Sequence, residues 1–281
     1  MLKFCSLYSG SSGNCLLVQS DKTKILIDAG VSCRRITNAL ASLGVDITEI
    51  DAILITHEHS DHVSSLPVLS KKFNIPIYTT VKTWDVIIGT ITGKHKYHSY
   101  VGADDPVRPG SAYPSSIHFF NIGKEFEIGD LKIKPFEIPH DAIEPCGFNI
   151  FNHDTKISIA TDIGHMNSTL IKHLKNSSFV FLEANHDPAI VKYCNYPYFL
   201  KKRILSKHGH LCNDIAGQTI SELSKHGLKH VMLGHLSKEN NFPELAYNTV
   251  TEVLSLNNIN LNSINLSVAS RTEPSEFIEV S

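Results

Sequence analysis

Apolar and polar positions alternate along the first thirty residues in three short runs, Leu2 to Tyr8, Cys15 to Gln19 and Lys24 to Ile27. Gly, Ser and Asn or Asp and Lys separate them, which predicts a meander of strands joined by turns. The period then changes. From Cys33 to Leu43 the apolar residues recur at helical spacing and stop at Gly44, a residue that closes a helix in the left-handed conformation without steric cost. Ala52 to Ile55 reads as a buried strand, the segment after His62 as a helix to about Phe73, Ile75 to Tyr78 as a strand and Val81 to Ile88 as a helix. Residues 93 to 116 show no period and are rich in Gly, Pro, Asp and His, which predicts a long loop.

Short strands return around Phe119, Phe126, Ile133, Phe148 and Ile157, broken by Gly123, Gly129, Pro139 and His153-Asp154. Helices are then expected at Ser168 to Leu174, Pro197 to Ser206, Asn213 to His226 and Phe242 to Leu254, and strands at Phe179 to Leu182 and His230 to Leu233. Two meanders, each followed by helices, imply two sheets packed face to face with helices outside, an αββα sandwich. With no linker or low-complexity tract, the 281 residues are expected to form a single domain.

Composition narrows the chemistry. The net charge of −2 excludes a molecule that is basic overall, so nucleic acid must be met by a local patch or by metal ions. Six cysteines without a Cys-x-x-Cys pair argue against a zinc knuckle or a disulfide framework and suit a reducing compartment. No leader and no long apolar span is evident, so a cytoplasmic protein that does not enter membranes is expected. The 16 histidines, against one Trp and three Met, direct attention to metal chemistry.

His57-x-His59-x-Asp61-His62 places four metal-competent side chains within six residues, directly after an apolar strand. A loop can fold such a run around adjacent ions, whereas a merely solvated loop has no reason to contain it. Asp28, His140, Asp162 and His235 each follow a strand-like run, the position from which an α/β scaffold presents site residues. Asp28 is expected to orient a ligand histidine.

The ordered set Asp28, Thr56-His57-Glu58-His59-Ser60-Asp61-His62, His140, Asp162 and His235 resembles the motifs of the metallo-β-lactamase-fold hydrolases over nearly the whole chain. That resemblance implies that His57, His59 and His140 hold one metal, that Asp61, His62 and His235 hold a second, and that Asp162 bridges. Ser9-Gly10-Ser11-Ser12-Gly13-Asn14, His140-Asp141-Ala142, Asn185-His186-Asp187 and Gly209-His210-Leu211 further resemble the YycJ (WalJ, VicX) subgroup, described as 5′-to-3′ DNA exonucleases. Cys212 departs from the Ser expected there, and His165 from an aromatic residue.

The implied activity is a metal-dependent phosphodiesterase using two divalent ions, zinc, manganese or iron, because His and Asp ligands without thiolate suit all three. Asp61 positions or deprotonates the attacking water. His210 is the candidate general acid, resembling the non-ligand histidine of the tRNA 3′-processing nuclease, with Glu183 supporting it. Candidate substrate contacts are Ser11, Ser12 and Asn14, whose turn offers a phosphate cradle or is simply a tight turn, together with His186 and Arg203. Lys201-Lys202-Arg203 is either a contact to a DNA backbone or a solvated helical face, and Tyr97, His98, Tyr100 and Tyr113 offer rings for stacking. The alternatives are a small-molecule (cyclic) phosphodiesterase on the same fold and a non-catalytic regulatory metalloprotein.

Overall fold

The computed structural model of the chain describes residues 1–92 and 117–281. The expected long loop, with Tyr97, His98, Tyr100 and Tyr113, lies outside the described residues. The strands are β1 (Leu2–Tyr8), β2 (Cys15–Gln19), β3 (Lys24–Ile27), β4 (Ala52–Leu54), β5 (Ile77–Thr79), β6 (Ile117–Phe119), β7 (Phe126–Ile128), β8 (Leu131–Glu137), β9 (Cys146–Asn152), β10 (Thr155–Ala160), β11 (Phe179–Glu183), β12 (His230–Gly234), β13 (Asn265–Val268) and β14 (Ile278–Val280). They form two sheets among the described residues, in the orders β14-β1-β2-β3-β4-β5-β6 and β13-β12-β11-β10-β9-β8-β7.

The period-two pattern sorts side chains between two layers. Phe4, Val18, Ile25, Ile27 and Leu54 of the first sheet face Ile133, Phe148, Ile157, Phe179 and Phe181 of the second in one shared core. Phe4 lies 4.6 Å from Phe179 and 5.3 Å from Phe181, centroid to centroid. The alternate residues Cys5, Leu17, Leu26 and Ile53 face outward onto Ile36 and Leu40 of α1 (Cys33–Ser42). α2 (Ser60–Val63), α3 (Leu66–Phe73) and α4 (Val81–Thr92) follow in the chain, and Leu66 and Leu69 of α3 and Trp84 of α4 join the same outer layer.

On the other side of the molecule come α5 (Ser168–Leu174), α6 (Pro188–Tyr193), α7 (Tyr198–Ile204), α8 (Asn213–Ser224) and α9 (Pro243–Leu256). Leu170, Ile220 and Val250, from α5, α8 and α9, cover Val180, Leu182, Val231 and Leu233 of the second sheet. The expected αββα sandwich is therefore the observed one.

The helix expected after His62 begins earlier, at Ser60, and is split into α2 and α3. Pro67 lacks an N–H and crowds the residue before it, while Ser64 and Ser65 donate their hydroxyls to the carbonyls of Gly30 and Ala29. Asp61 and His62 thus sit in a pinned helical turn. α6 was not foreseen, although Asp187 caps it by accepting from the N–H groups of Ala189 and Ile190 just ahead of Pro188. β13 and β14 were also not foreseen. They extend the sheets beside β12 and β1.

Candidate metal centre

β3 and β4 are parallel in the first sheet, as are β10, β11 and β12 in the second. Their carboxyl ends are where an α/β scaffold gathers loops and side chains for chemistry. Three of the residues just past these ends, Asp28, Asp162 and His235, adopt the left-handed conformation with φ of 62°, 60° and 54°. Each such non-glycine residue costs about 1 kcal/mol or more and persists only where surrounding contacts hold it. The contacts here are specific. The Asp28 N–H donates to Leu54 O at 2.8 Å, and the His235 N–H to the Ser9 hydroxyl at 2.7 Å.

Under the histidine run, Asp28 is buried and accepts from the Thr56 N–H and the Thr56 hydroxyl, both at 2.9 Å. Its Oδ2 also lies 2.7 Å from His62 Nδ1. The Thr56 hydroxyl is in turn 3.0 Å from His57 Nδ1. These partners take the Nδ1 side of both rings and leave Nε2 on each for the site, the usual way a ligand histidine is fixed. Gly30 allows this loop to close, because a β-carbon there would overlap the Asp61 carbonyl. The loop is also tied by Asn14 N–H donating to Asp61 O at 2.8 Å and Ala29 N–H to His62 O at 2.7 Å.

In the second sheet's half, His140 Nδ1 faces Gly209 O at 3.0 Å, and its Nε2 is 3.3 Å from His59 Nδ1. Glu183, at the end of β11, is fully buried. It accepts from the Ile163 N–H at 2.6 Å and the Leu211 N–H at 3.0 Å, and its Oε1 lies 2.8 Å from His210 Nδ1 and 2.9 Å from His235 Nδ1. Both rings therefore keep Nε2 for the site. They differ in access, since the His235 side chain is 1% exposed and that of His210 is 17%.

Among the described residues, donor atoms converge in four overlapping groups, each within 4.8 Å: His57, His59 and His140; Asp61, His62 and His235; His57, His62 and Asp162; and Asp162, Glu183, His210 and His235. Asp162 Oδ2 and His235 Nε2 are buried with no hydrogen-bond partner. Their nearest charged partners stand off at 3.4 Å (His62 Nε2 from Asp162 Oδ2) and 3.5 Å (Asp162 Oδ1 from His235 Nε2), and a cation bound between such buried atoms supplies the close contact they lack. Nitrogen and carboxylate donors without thiolate fit a divalent ion of borderline or hard character.

The electrostatics agree. Burial, reinforced by His62, His140 and His59, holds His57 well below the usual imidazole range, and burial also lowers His140. Both are thereby kept in the neutral form that ligates. Burial opposes charge on Asp61, Asp162 and Glu183, yet all three are lowered: Asp61 by His62 and His235, Asp162 by His235, His62 and His140, and Glu183 by His210 and His235. Burial also opposes charge on His62, but Asp162, Asp28 and Asp61 outweigh it and raise the ring to about 9. Against the same opposition, Asp162, Asp61 and Glu183 raise His235 well above its ordinary value. Protons thus sit where cations fit.

The other expected residues are placed as follows. Ser11 and Ser12 are exposed on their turn, while Asn14 is buried with Nδ2 3.1 Å from His62 Nε2. The N–H groups of Gly10, Gly13 and Asn14 are taken by Asn14 Oδ1, Gly10 O and Asp61 O. The backbone donors at those three positions are therefore spent within the fold, leaving the Ser11 and Ser12 hydroxyls at the surface. His186 is buried, with Nδ1 unpartnered and the ring lowered to about 4 by burial. Arg203 forms a two-pronged pair with Asp141, the residue after His140.

Sequence reasoning assigned no role to Thr56, to Asn185, whose side chain donates to His235 O at 2.7 Å, or to the Gly209 carbonyl. Their types are common, and only long-range pairing gives them a role.

The family model described as the metallo-beta-lactamase superfamily matches residues 8–189. The exodeoxyribonuclease YycJ of Bacillus anthracis is 34% identical over 256 residues, covering 90% of this chain and 89% of that protein. The exodeoxyribonuclease WalJ of Streptococcus pneumoniae is 36% identical over 252 residues, covering 90% and 88%. Among solved structures, the metallo-beta-lactamase fold protein YhfI from Bacillus subtilis superposes with a TM-score of 0.67 at 16% identity, covering 98% of both chains. Human tRNase Z, short form, gives 0.64 at 18% identity over 99% of both. No described helix is long and apolar enough to cross a membrane. A matching family model over most of the chain, two relatives above 30% identity across nine-tenths of it and a centre built for divalent ions lead to one conclusion: the chain belongs to the metallo-beta-lactamase superfamily, in the branch of YycJ and WalJ, and is a metal-dependent hydrolase.

Proposed function

We propose that this chain is a two-metal phosphodiesterase that shortens DNA in the 5′-to-3′ direction, acting as one domain over residues 1–281 in the cytoplasm. The observation that carries the reading is the pair of donor triads, His57/His59/His140 and Asp61/His62/His235, with Asp162 within reach of both sides. DNA as substrate is supported by the names of YycJ and WalJ, and the polarity by the subgroup resemblance. A reducing compartment suits six cysteines that are all free.

His57, His59 and His140 would hold one ion and Asp61, His62 and His235 the other, with Asp162 between, and zinc, manganese and iron all suit such donors. Two ions so bound supply charge neutralisation for a phosphodiester, a water acidified toward neutral pH and stabilisation of the leaving oxygen.

The chain's own side chains do the rest. Asp61, held ionised below the usual carboxylate range, accepts a hydrogen bond from the attacking water and orients it, since so weak a base stores a proton poorly. Glu183 fixes Nδ1 of His210, so Nε2 of that partly exposed ring carries the proton passed to the departing oxygen. His235 shares the Glu183 carboxylate but is sealed from solvent, which separates a ligand role from an acid role on the same anchor.

The test is cleavage of 5′-labelled single-stranded and duplex DNA with added manganese or zinc. Wild type is expected to shorten the strand, with Asp61→Ala and His210→Ala each slower by roughly 100-fold or more. Wild type that leaves DNA and RNA intact while hydrolysing small phosphodiesters removes the nuclease reading and keeps the metal centre.

A further inference from the structure

The stretch from Pro188 to Asn213 differs from the rest of the chain in charge. It contains five Lys or Arg and no Asp or Glu, in a protein whose net charge is −2. It also holds large rings that the fold does not bury: Tyr193 is 83% exposed, Tyr198 80% and Phe199 72%. A surface of uncovered aromatics between cations is unusual on a soluble enzyme and marks a contact site.

Helices α6 and α7 bring these groups together, with Lys201 Nζ of α7 donating to Lys192 O of α6 at 2.9 Å. Between them runs an open cleft of about 610 Å³ lined by Lys192, Tyr196, Tyr198, Lys201 and Lys202. A second cleft of about 610 Å³ shares Tyr196 and is lined by Tyr193, Cys194 and, from outside the stretch, Glu239, which leaves the cleft between Lys192, Lys201 and Lys202 as the one that suits phosphates. Tyr198 is three and four residues ahead of Lys201 and Lys202, so ring and ammonium groups are neighbours on the helix. Phe199 stands four residues ahead of Arg203, which pairs with Asp141 beside His140. The surface is thereby continuous with the rim of the metal centre.

We propose that this surface is a platform for single-stranded nucleic acid, on which Tyr193, Tyr198 and Phe199 stack unpaired bases while Lys192, Lys201 and Lys202 meet backbone phosphates. Rings accept any base, because every base has a π face, and lysines follow the backbone without reading sequence. A strand lying along α7 passes Arg203 and arrives at the metal centre. The proposal rests on the phosphodiesterase reading of that centre for its choice of occupant. The absence of acidic residues in the stretch and its continuity with the site favour a polyanion over a second copy of this chain.

The test is the affinity of the full, manganese-loaded chain for a fluorescent 15-nucleotide thymidine strand with phosphorothioate linkages, which resist cleavage. The variants are Tyr193→Ala/Tyr198→Ala/Phe199→Ala, Tyr193→Phe/Tyr198→Phe and Lys192→Gln/Lys202→Gln, with thermal midpoints confirming the fold. Loss of the three rings is expected to weaken binding on the order of 100-fold, and the Phe pair to keep it. The Lys pair is expected to lower the salt slope by about 0.7 for each phosphate no longer neutralised.

Unchanged affinity in the triple variant overturns the platform, as does wild type that ignores the strand. A triple variant that turns a dimer into a monomer while binding as before assigns the surface to a second copy instead. Cleavage of ordinary DNA, run alongside, separates the two ideas: binding that needs the rings without cutting removes the nuclease reading, and cutting with ring-independent affinity removes the platform.

Discussion

Asp28 beneath the first sheet's half of the site and Glu183 beneath the second's are both buried carboxylates set against histidine Nδ1 atoms, but they carry unequal loads. Asp28 serves one ring, His62, and is otherwise satisfied by the backbone N–H and hydroxyl of a single neighbour, Thr56. Glu183 serves two rings, His210 and His235, and accepts from two backbone N–H groups on separate loops, Ile163 and Leu211. The first half is thus a local device, with its donors in one short run, and the second is assembled from distant strand ends around one anion. A locally built half tolerates loss of its anchor better than a half whose loops meet only at that anchor.

The largest expected effect is therefore at Glu183. Glu183→Ala leaves two buried N–H groups and two rings without their acceptor. Removing one partner of a buried charged pair costs roughly 3 to 5 kcal/mol. Urea denaturation should show a loss of that order, with DNA cleavage abolished. Asp28→Asn keeps shape and one acceptor atom, so metal affinity should fall by about 10- to 100-fold, and excess manganese should restore cleavage. Equal stability losses in Asp28→Ala and Glu183→Ala would show that the two anchors carry the same load.

A smaller effect, graded with pH, follows from the shifted groups. His62 is raised from 6.5 to about 9, so its proton stabilises the chelator-stripped chain fully below 6.5, and that contribution is lost as pH rises through 9. Asp61, Asp162 and Glu183 are lowered from ordinary values of 3.8, 3.8 and 4.5, so their contribution is present above those values and lost as pH falls. His57, His140 and His186 are lowered from 6.5, so their contribution is lost as pH falls below that value, and the stripped chain should be most stable near 6.5, losing stability on either side. Metal affinity should move the opposite way and rise from pH 6.5 toward 9, about tenfold per unit for each proton displaced. Calorimetry in buffers of different ionisation enthalpy reads that release, and affinity independent of pH would show that metal binding displaces no proton from His62 or His235.

The same contrast explains what was legible in the sequence. His57 to His62 could be read directly, because four donors in six residues after an apolar strand have few other uses. Asp28, His140, Asp162 and His235 could be read only as strand-end residues placed in motif order, and Glu183 only as the support that the resemblance implies for His210. The left-handed conformation at Asp28, Asp162 and His235 left no local mark, and neither did the Ser9 hydroxyl, which meets His235 across 226 positions. α6 had a readable cap in Asp187-Pro188, but it is only six residues long. β13 and β14 are short and half exposed, so their pattern is weak and their pairing decides them. The sandwich itself was legible because its core follows strict alternation, as in Ile25, Leu26 and Ile27, which face opposite layers.

The two halves are proposed to hold two ions together, both acting in DNA cleavage. Titrating the stripped chain with manganese, while following bound metal and cleavage of 5′-labelled single-stranded DNA in the same samples, tests it most directly. Two ions per chain are expected, with cleavage rising as the second equivalent binds. Full cleavage at one ion per chain, or two ions bound without cleavage, would contradict it.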